Sequence, residues 1–221
     1  MNNSLFRILG PIMVGPSSSH TAGAVRIGRM CRSVARQDVK SVTFFLHGSF
    51  EKTYKGHGTD RALVGGILGM DTDDERIINA LDIAKAHGIS FKFVPANLGN
   101  VHPNTVKAEI TNSKGENFNV IASSIGGGQI NVLSVNGFLA NISGQYNSTI
   151  IKHLDKIGLI RKIASVFEEC GTNIVSLHAD REDRGKTATT IVEFDGKINP
   201  CLIENLPLID GVSSVSFVDK I

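Results

Sequence analysis

One break in the pattern constrains this chain more than any other feature. Ser143-Gly144-Gln145-Tyr146-Asn147-Ser148 is short and polar, and the hydrophobic periodicity starts afresh after it. Residues 149–154 read as a strand. Residues 158–170 follow a helical period with Ile160, Ile163, Ala164 and Phe167 inward and Gly171 as the stop. Strands are expected at 173–180 and 186–194, separated by the charged turn Arg181-Glu182-Asp183-Arg184-Gly185. A short helix at 200–206 and a last strand at 211–219 complete the order βαββαβ, a ferredoxin-like pattern. The break therefore predicts two domains, 1–144 and 149–221, in an α+β chain. Its 221 residues suffice for two modest cores.

The first 144 residues predict a mixed α/β arrangement. Leu5 to Val14, apolar around Gly10-Pro11, reads as a docking turn. A helix follows Gly23 to about Gln37, with Arg29, Arg32 and Arg36 toward its negative end. Val39 to Ser49 is a strand whose run Val42, Phe44, Phe45, Leu46 suits a covered sheet. Thr59-Asp60 sits where caps belong, opening a second helix, and 73–88 is a third, with Asp71 or Asp73 as cap and Gly88 as stop. Strands are expected at 91–95, 106–111, 117–123 and 130–141, with Ser113-Lys114-Gly115-Glu116 as a hairpin turn.

The chemistry concentrates in Gly15-Pro16-Ser17-Ser18-Ser19-His20-Thr21-Ala22-Gly23, which the helical period places at a helix N-terminus. The first N–H groups of a helix lack internal partners and carry the positive end of its dipole, so hydroxyls there can help hold a carboxylate or phosphate. His20 adds a group that moves a proton near neutral pH. Ser and Thr are also the commonest N-caps, so capping alone is the competing explanation. Yet one cap needs one hydroxyl, and four hydroxyls with an imidazole exceed that need. The turn Gly56-His57-Gly58-Thr59-Asp60 repeats the logic, its glycines admitting a ligand close to the backbone. Here too a glycine loop with an Asp cap explains the pattern equally well.

Taken together, Gly15 to Ala24, Lys55-Gly56-His57-Gly58-Thr59-Asp60-Arg61-Ala62-Leu63, and His102-Pro103-Asn104-Thr105 with Ser124-Ile125-Gly126-Gly127-Gly128 resemble the beta domain of iron-sulfur-dependent L-serine dehydratases over about the first 145 residues. The resemblance implies a fold like the allosteric-substrate-binding domain of some phosphoglycerate dehydrogenases. It implies elimination from L-serine to pyruvate and ammonia, together with an alpha subunit whose cysteines hold a 4Fe-4S cluster. On that footing His20 and His57 are the candidate catalytic residues. Ser17, Ser18, Ser19, Thr21, Gly58, Thr59, Asp60, His102, Asn104 and Gly127 are candidates for substrate contact, with the Ser-rich turn meeting the carboxylate and Asp60 the ammonium. Alternatively, the chain is a non-catalytic serine-binding regulatory subunit or an assembly subunit.

The segments 155–160 and 171–174, with Gly211-Val212, resemble an ACT domain, with Ile157 standing where that family has Pro. The resemblance implies self-association through this domain and an effector site at Asp155, Gly158 and Asn173.

Composition narrows the remainder. A net charge of +2, with cations scattered rather than striped, offers no field for nucleic acid, and 41% apolar with 20% charged residues is ordinary for a globular protein. No stretch is long and apolar enough for a membrane span or signal peptide, so a cytoplasmic location is expected. Cys31, Cys170 and Cys201 show no paired spacing and read as buried free thiols, with no metal site in this chain. His47, His87, His153 and His178 lie in strand or helix contexts without polar neighbours in sequence.

Overall fold

A computed structural model describes residues 11–36, 38–181 and 183–221. The expected 5–14 turn falls largely outside them, and the helix expected to run to about Gln37 ends at Val34, where Arg36 at φ 58° turns the chain. The described end of the turn is docked: Val14 N donates to Thr72 O, and Thr72 Oγ1 donates to Ile12 O.

The chain forms two compact units, 1–137 and 138–221. In the first, a π turn, Ser18–Ala22, leads directly into α1, Gly23–Val34. Then come β1 (Val39–Leu46), α2 (Gly48–Thr53), α3 (Thr59–Ile67), a 3-10 turn (Glu75–Asn79), α4 (Ala80–Ala86), β2 (Ser90–Pro95), β3 (Thr105–Asn112), β4 (Asn117–Gly126) and β5 (Gln129–Val135). Strand order in this unit is β2-β1-β3-β4-β5. β1 pairs in parallel with β2, Ser41 opposite Ser90, and antiparallel with β3, Leu46 opposite Val106.

Several sequence expectations shift by a few residues for physical reasons. The third helix is capped by Asp74, which accepts from Arg76 N, rather than by Asp71 or Asp73. Asp71 instead pairs with Arg29. The predicted 130–141 strand is two, because Asn136 and Gly137 both adopt positive φ and turn the chain. β1 is not fully covered: Val42, Phe44 and Leu46 are buried, while Phe45 is half-buried, with the Lys107 ammonium 5.3 Å over its ring.

The core of this unit rests on the crossing of α1 and α3. A Cβ added to Gly28 would lie 2.2 Å from Leu63 O, and one added to Gly66 would lie 2.1 Å from Val25 O. Only glycine permits that approach, which lets Val25, Ile27, Met30, Leu63 and Ile67 bury completely.

The second unit opens with β6 (Phe138–Ile142) and continues with β7 (Asn147–Leu154), α5 (Leu159–Glu169), β8 (Ile174–Arg181), β9 (Thr187–Phe194), α6 (Pro200–Asn205), a 3-10 turn (Leu206–Leu208) and β10 (Val212–Val218). From β7 onward the order is βαββαβ, and the sheet runs β10-β7-β9-β8 with every pairing antiparallel. This is the expected ferredoxin-like topology. Ile163, Phe167, Val192, Phe194, Leu202 and Leu206 form its core.

One expectation fails here. Cys170 and Cys201 are not free thiols but a disulfide, their Cα atoms 5.7 Å apart, joining the end of α5 to the start of α6. Cys31 is the free cysteine among the described residues, and burial pushes its thiol up to about 12. No described helix is long and apolar enough to cross a membrane.

Candidate functional site

The site is built where the π turn enters α1. Ser17 is the N-cap, its Oγ accepting from His20 N at 3.2 Å. The same Oγ lies 3.3 Å from His20 Nδ1. On the other side of the ring, His20 Nε2 lies 3.0 Å from Ser49 Oγ. Both imidazole nitrogens thus meet hydroxyls, and among the described residues no carboxylate holds the ring. Phe50 presents an edge-on ring at 5.3 Å, and the His57 ring stands 4.8 Å away. Burial, with a smaller contribution from His57, lowers the His20 pKa from its ordinary value, which favours the neutral imidazole.

Ser49 was not singled out by sequence. It enters because Gly48, with φ of 60°, turns the chain out of β1 into the one-and-a-half-turn helix α2. Ser49 N donates to Pro103 O at 2.8 Å, which brings the His102–Thr105 loop alongside. In that loop His102 Nδ1 accepts from Asn104 N, and Thr105 Oγ1 bonds both His102 O and Ser123 Oγ. Ser124 N then donates to Asn104 O. Ser124 Oγ closes the circuit by sitting where a Cβ on Gly23 would fall, 2.0 Å from that position. The turn at His20, Ser49, the 102–105 loop and Ser124 are therefore contiguous.

Among the described residues of this unit, three buried oxygens have no hydrogen-bond partner: Thr59 Oγ1, Asn104 Oδ1 and Ser124 Oγ. Buried polar groups are nearly always paired, and leaving one unpaired costs about 1–3 kcal/mol. Two of the three residues, Thr59 and Asn104, belong to the set expected to touch substrate, and the third begins the glycine-rich stretch that carried part of the resemblance.

The other expected residues are placed as follows. Ser18, Ser19 and Thr21 belong to the π turn, with Thr21 buried and its Oγ1 3.5 Å from His57 O. The cap position of α3 is taken by Gly58 at φ 69°, so Thr59 is the first helical residue and caps nothing. Asp60 Oδ1 accepts from Arg61 N at 2.8 Å. Gly127 lies in the two-residue hairpin loop between β4 and β5, with Gly127 and Gly128 both at positive φ; Arg26 Nη1 donates to Gly128 O at 2.7 Å and ties that loop to α1. His57 is exposed.

In the second unit, Asp155 lines a cavity of about 340 Å³ with His153, Lys156 and Arg181. It is already engaged, accepting from Gly185 N at 3.0 Å and Arg181 Nη1 at 3.1 Å, and these bonds hold its pKa below the usual carboxylate value. Gly158 and Asn173 do not line that cavity; Asn173 Nδ2 donates to Asp195. His153 proves to have polar companions after all: it is buried, with Nε2 2.8 Å from Thr190 Oγ1 and Nδ1 2.8 Å from Leu154 O. His47 likewise accepts from Leu98 N.

Among the described residues no three His, Cys, Asp or Glu side chains cluster so as to hold a metal ion. Two of the cysteines are bonded to each other and the third is a buried thiol, so these residues do not fit an iron-sulfur cluster, whose ligands are thiolates.

Comparison with known proteins gives the family. Residues 4–88 match the family model described as serine dehydratase beta chain. The chain is 41% identical over 213 residues to a probable L-serine dehydratase beta chain of Bacillus subtilis, covering 96% of each, and 40% identical over 217 residues to the L-serine dehydratase beta chain of Peptoniphilus asaccharolyticus, covering 98% of each. A D-3-phosphoglycerate dehydrogenase of Bacillus subtilis is 23% identical over 89% of this chain, which spans 37% of that enzyme. An ACT domain from a Chlorobium tepidum GTP pyrophosphokinase aligns with 33% of this chain and 95% of its own, at 23% identity and a TM-score of only 0.29, which adds nothing to the strand order above. The chain belongs to the serine dehydratase beta chain family.

Proposed function

We propose that this chain is the substrate-contacting beta subunit of an L-serine dehydratase, converting L-serine to pyruvate and ammonia with an alpha partner. What supports the reading is that Ser17 and His57, two of the residues the family resemblance singles out, stand against the His20 imidazole, with the 102–105 loop tied to Ser49 on its other side. His20, neutral at working pH, accepts the α proton. The hydroxyls and N–H groups of the Ser17–Thr21 turn receive the carboxylate at the start of α1. Loss of that proton and of the hydroxyl leaves 2-aminoacrylate, which tautomerises to the imine and takes up water to give pyruvate and ammonia. The 4Fe-4S cluster, and the Lewis acidity it offers the departing hydroxyl, belong in this reading to the alpha partner's cysteines, since the cysteines here do not fit it.

Anaerobic co-expression with the cluster-bearing partner tests this. The complex forms pyruvate from L-serine, and His20→Ala lowers the rate by at least about a hundredfold with the complex intact. Normal turnover by that variant removes His20 from the mechanism.

The second unit fits an ACT module that joins two copies of the chain, with Asp155 beside a cavity for an effector. A regulatory reading without chemistry has one observation in its favour, the alignment of 89% of this chain with part of a phosphoglycerate dehydrogenase. Calorimetry separates the two. L-serine binding to the chain alone, with no pyruvate formed in the complex, favours the sensor.

A further inference from the structure

The arginines of α1 are spent in different ways. Arg29 pairs with Asp71, and Arg32 Nη1 donates to Ile67 O at the end of α3. Arg26, half-buried in the first turn of α1, has no carboxylate partner among the described residues and gives its Nη1 to Gly128 O at 2.7 Å. Burial and the neighbouring Arg29 both lower its pKa, so the fold keeps a cation where its charge is disfavoured. A neutral side chain would avoid that cost, which points to a task for the charged bond.

That task lies in the segment Gly128 belongs to. Gly126, Gly127 and Gly128 all adopt positive φ, at 101°, 59° and 73°, and have no side chains to anchor the loop. Three such glycines in a row keep wide conformational freedom unless something outside them removes it. Packing limits one side: a Cβ on Gly128 would fall 2.8 Å from Pro11 Cδ and 3.4 Å from Ala22 Cβ, so the loop tip lies against the last residue of the π turn. Among the described residues, Arg26 supplies the only side-chain hydrogen bond to the three glycines. We propose that Arg26 is a positioning residue: by holding Gly128 O it fixes the glycine hairpin, with Gly127 and the adjoining Ser124, against the start of α1, and so presets a wall that L-serine meets. That the hairpin is pinned rests on the contact alone. That serine meets it rests on the function proposed above. A pinned loop has less freedom left to lose on binding, so the bond favours substrate affinity rather than the chemical step.

The test measures NMR order parameters of isotope-labelled glycine amides in the full chain, and then the kinetics of the same variants in complex with the alpha partner. In the unaltered chain Gly127 and Gly128 give values of about 0.85, and Arg26→Gln lowers them below about 0.6. Gly115 in the β3–β4 turn, which Arg26 does not touch, keeps its value and reports that the variant is folded. Arg26→Lys, which retains a charged donor, restores part of the order. In the complex Arg26→Gln raises KM for L-serine by about tenfold, the scale of one charge-assisted bond, with kcat within about twofold, and Arg26→Lys falls between. Order parameters unmoved by Arg26→Gln overturn the proposal outright. Loosened glycines with an unchanged KM, or with the loss in kcat instead, overturn the contact between hairpin and serine. If the unaltered complex turns over no serine, the proposed reaction fails while the order parameters still decide whether Arg26 pins the hairpin.

Discussion

The two units of this chain treat buried polar groups in opposite ways. In the second, the Glu193 carboxylate is buried without a cation, yet it accepts from Ser143 N, Ser143 Oγ and Ser176 Oγ at 2.8–3.0 Å. His153 is bonded at both nitrogens, Asn199 caps α6 by accepting from Leu202 N, and a disulfide closes the helix pair; Thr189 is the exception. In the first unit, Thr59, Asn104 and Ser124 keep buried oxygens without partners among the described residues, and the His20 imidazole nitrogens meet hydroxyls. One region is satisfied within itself but for Thr189, and the other is arranged for something yet to arrive. Local inconsistencies of that kind concentrate where a protein works.

The largest expected effect tests how self-contained the second unit is. The disulfide closes a loop of 31 residues, for which chain entropy predicts about 3–4 kcal/mol. Cys170→Ser should lower the stability of this unit by about that amount while amides of α1 and α3 keep their exchange protection. A uniform loss of protection across both units would mean that they are one cooperative body and the contrast is false.

The matching test in the first unit is Gly66→Ala. The new methyl would lie 2.1 Å from Val25 O and within 3 Å of Gly28 Cα, both backbone atoms that cannot swing aside. We expect a loss of about 2–3 kcal/mol, read as a lower denaturant midpoint with unchanged slope and accompanied by a displaced His20 environment. Full stability in this variant would show that the α1–α3 crossing is looser than its geometry requires.

Ser49→Ala reaches the site itself. Removing the hydroxyl deprives His20 Nε2 of its partner and admits water, so the depressed pKa rises toward its ordinary 6.5. The neutral form is the active one, so the acid limb of the pH–rate profile moves upward, and kcat/KM falls by at most about twofold at pH 6.5 and by up to about tenfold at pH 5.5. Ser49→Thr restores both. A lower rate with an unmoved limb would mark Ser49 as merely structural. The same sign governs stability. A folded pKa below 6.5 means that the unfolded chain binds its proton first, so the first unit weakens as pH falls from 6.5 toward the folded value and strengthens as pH rises.

Much of this was legible in the sequence, and the misses have a common cause. From β7 onward every strand and α-helix fell within two residues of its expected bounds, because local periods and Gly stops decide them. The Cys170–Cys201 bond escaped, since two cysteines 31 residues apart signal nothing until helices bring them together. In the first unit the Ser17–Thr21 cluster announced itself by excess hydroxyls. Ser49 did not: α2 is six residues long, too short for a period, and the significance of its hydroxyl lies 29 positions away at His20. Thr59 was expected to cap α3, but Gly58 takes the positive φ at that place and displaces Thr59 into the interior. Periodicity finds faces, whereas partners across the fold are decided by tertiary geometry.

That displacement supplies the smallest effect and the sharpest contrast. Thr59 Oγ1 is wholly buried and unpartnered, and replacing such a group by an apolar one of the same shape is nearly neutral or stabilising. Thr59→Val should therefore leave the chain alone as stable as before, or more stable by up to about 1 kcal/mol, in contrast with the equivalent change at a bonded hydroxyl such as Thr190→Val in the second unit, which should cost about 1 kcal/mol by stranding His153. If the orphan oxygen waits for the substrate or for a group of the partner, the same Thr59→Val that stabilises the chain weakens serine affinity or subunit association in the complex by several-fold. A variant stabilised alone and impaired in company separates a site held open from a packing defect; one equally active in both states makes Thr59 a defect and nothing more.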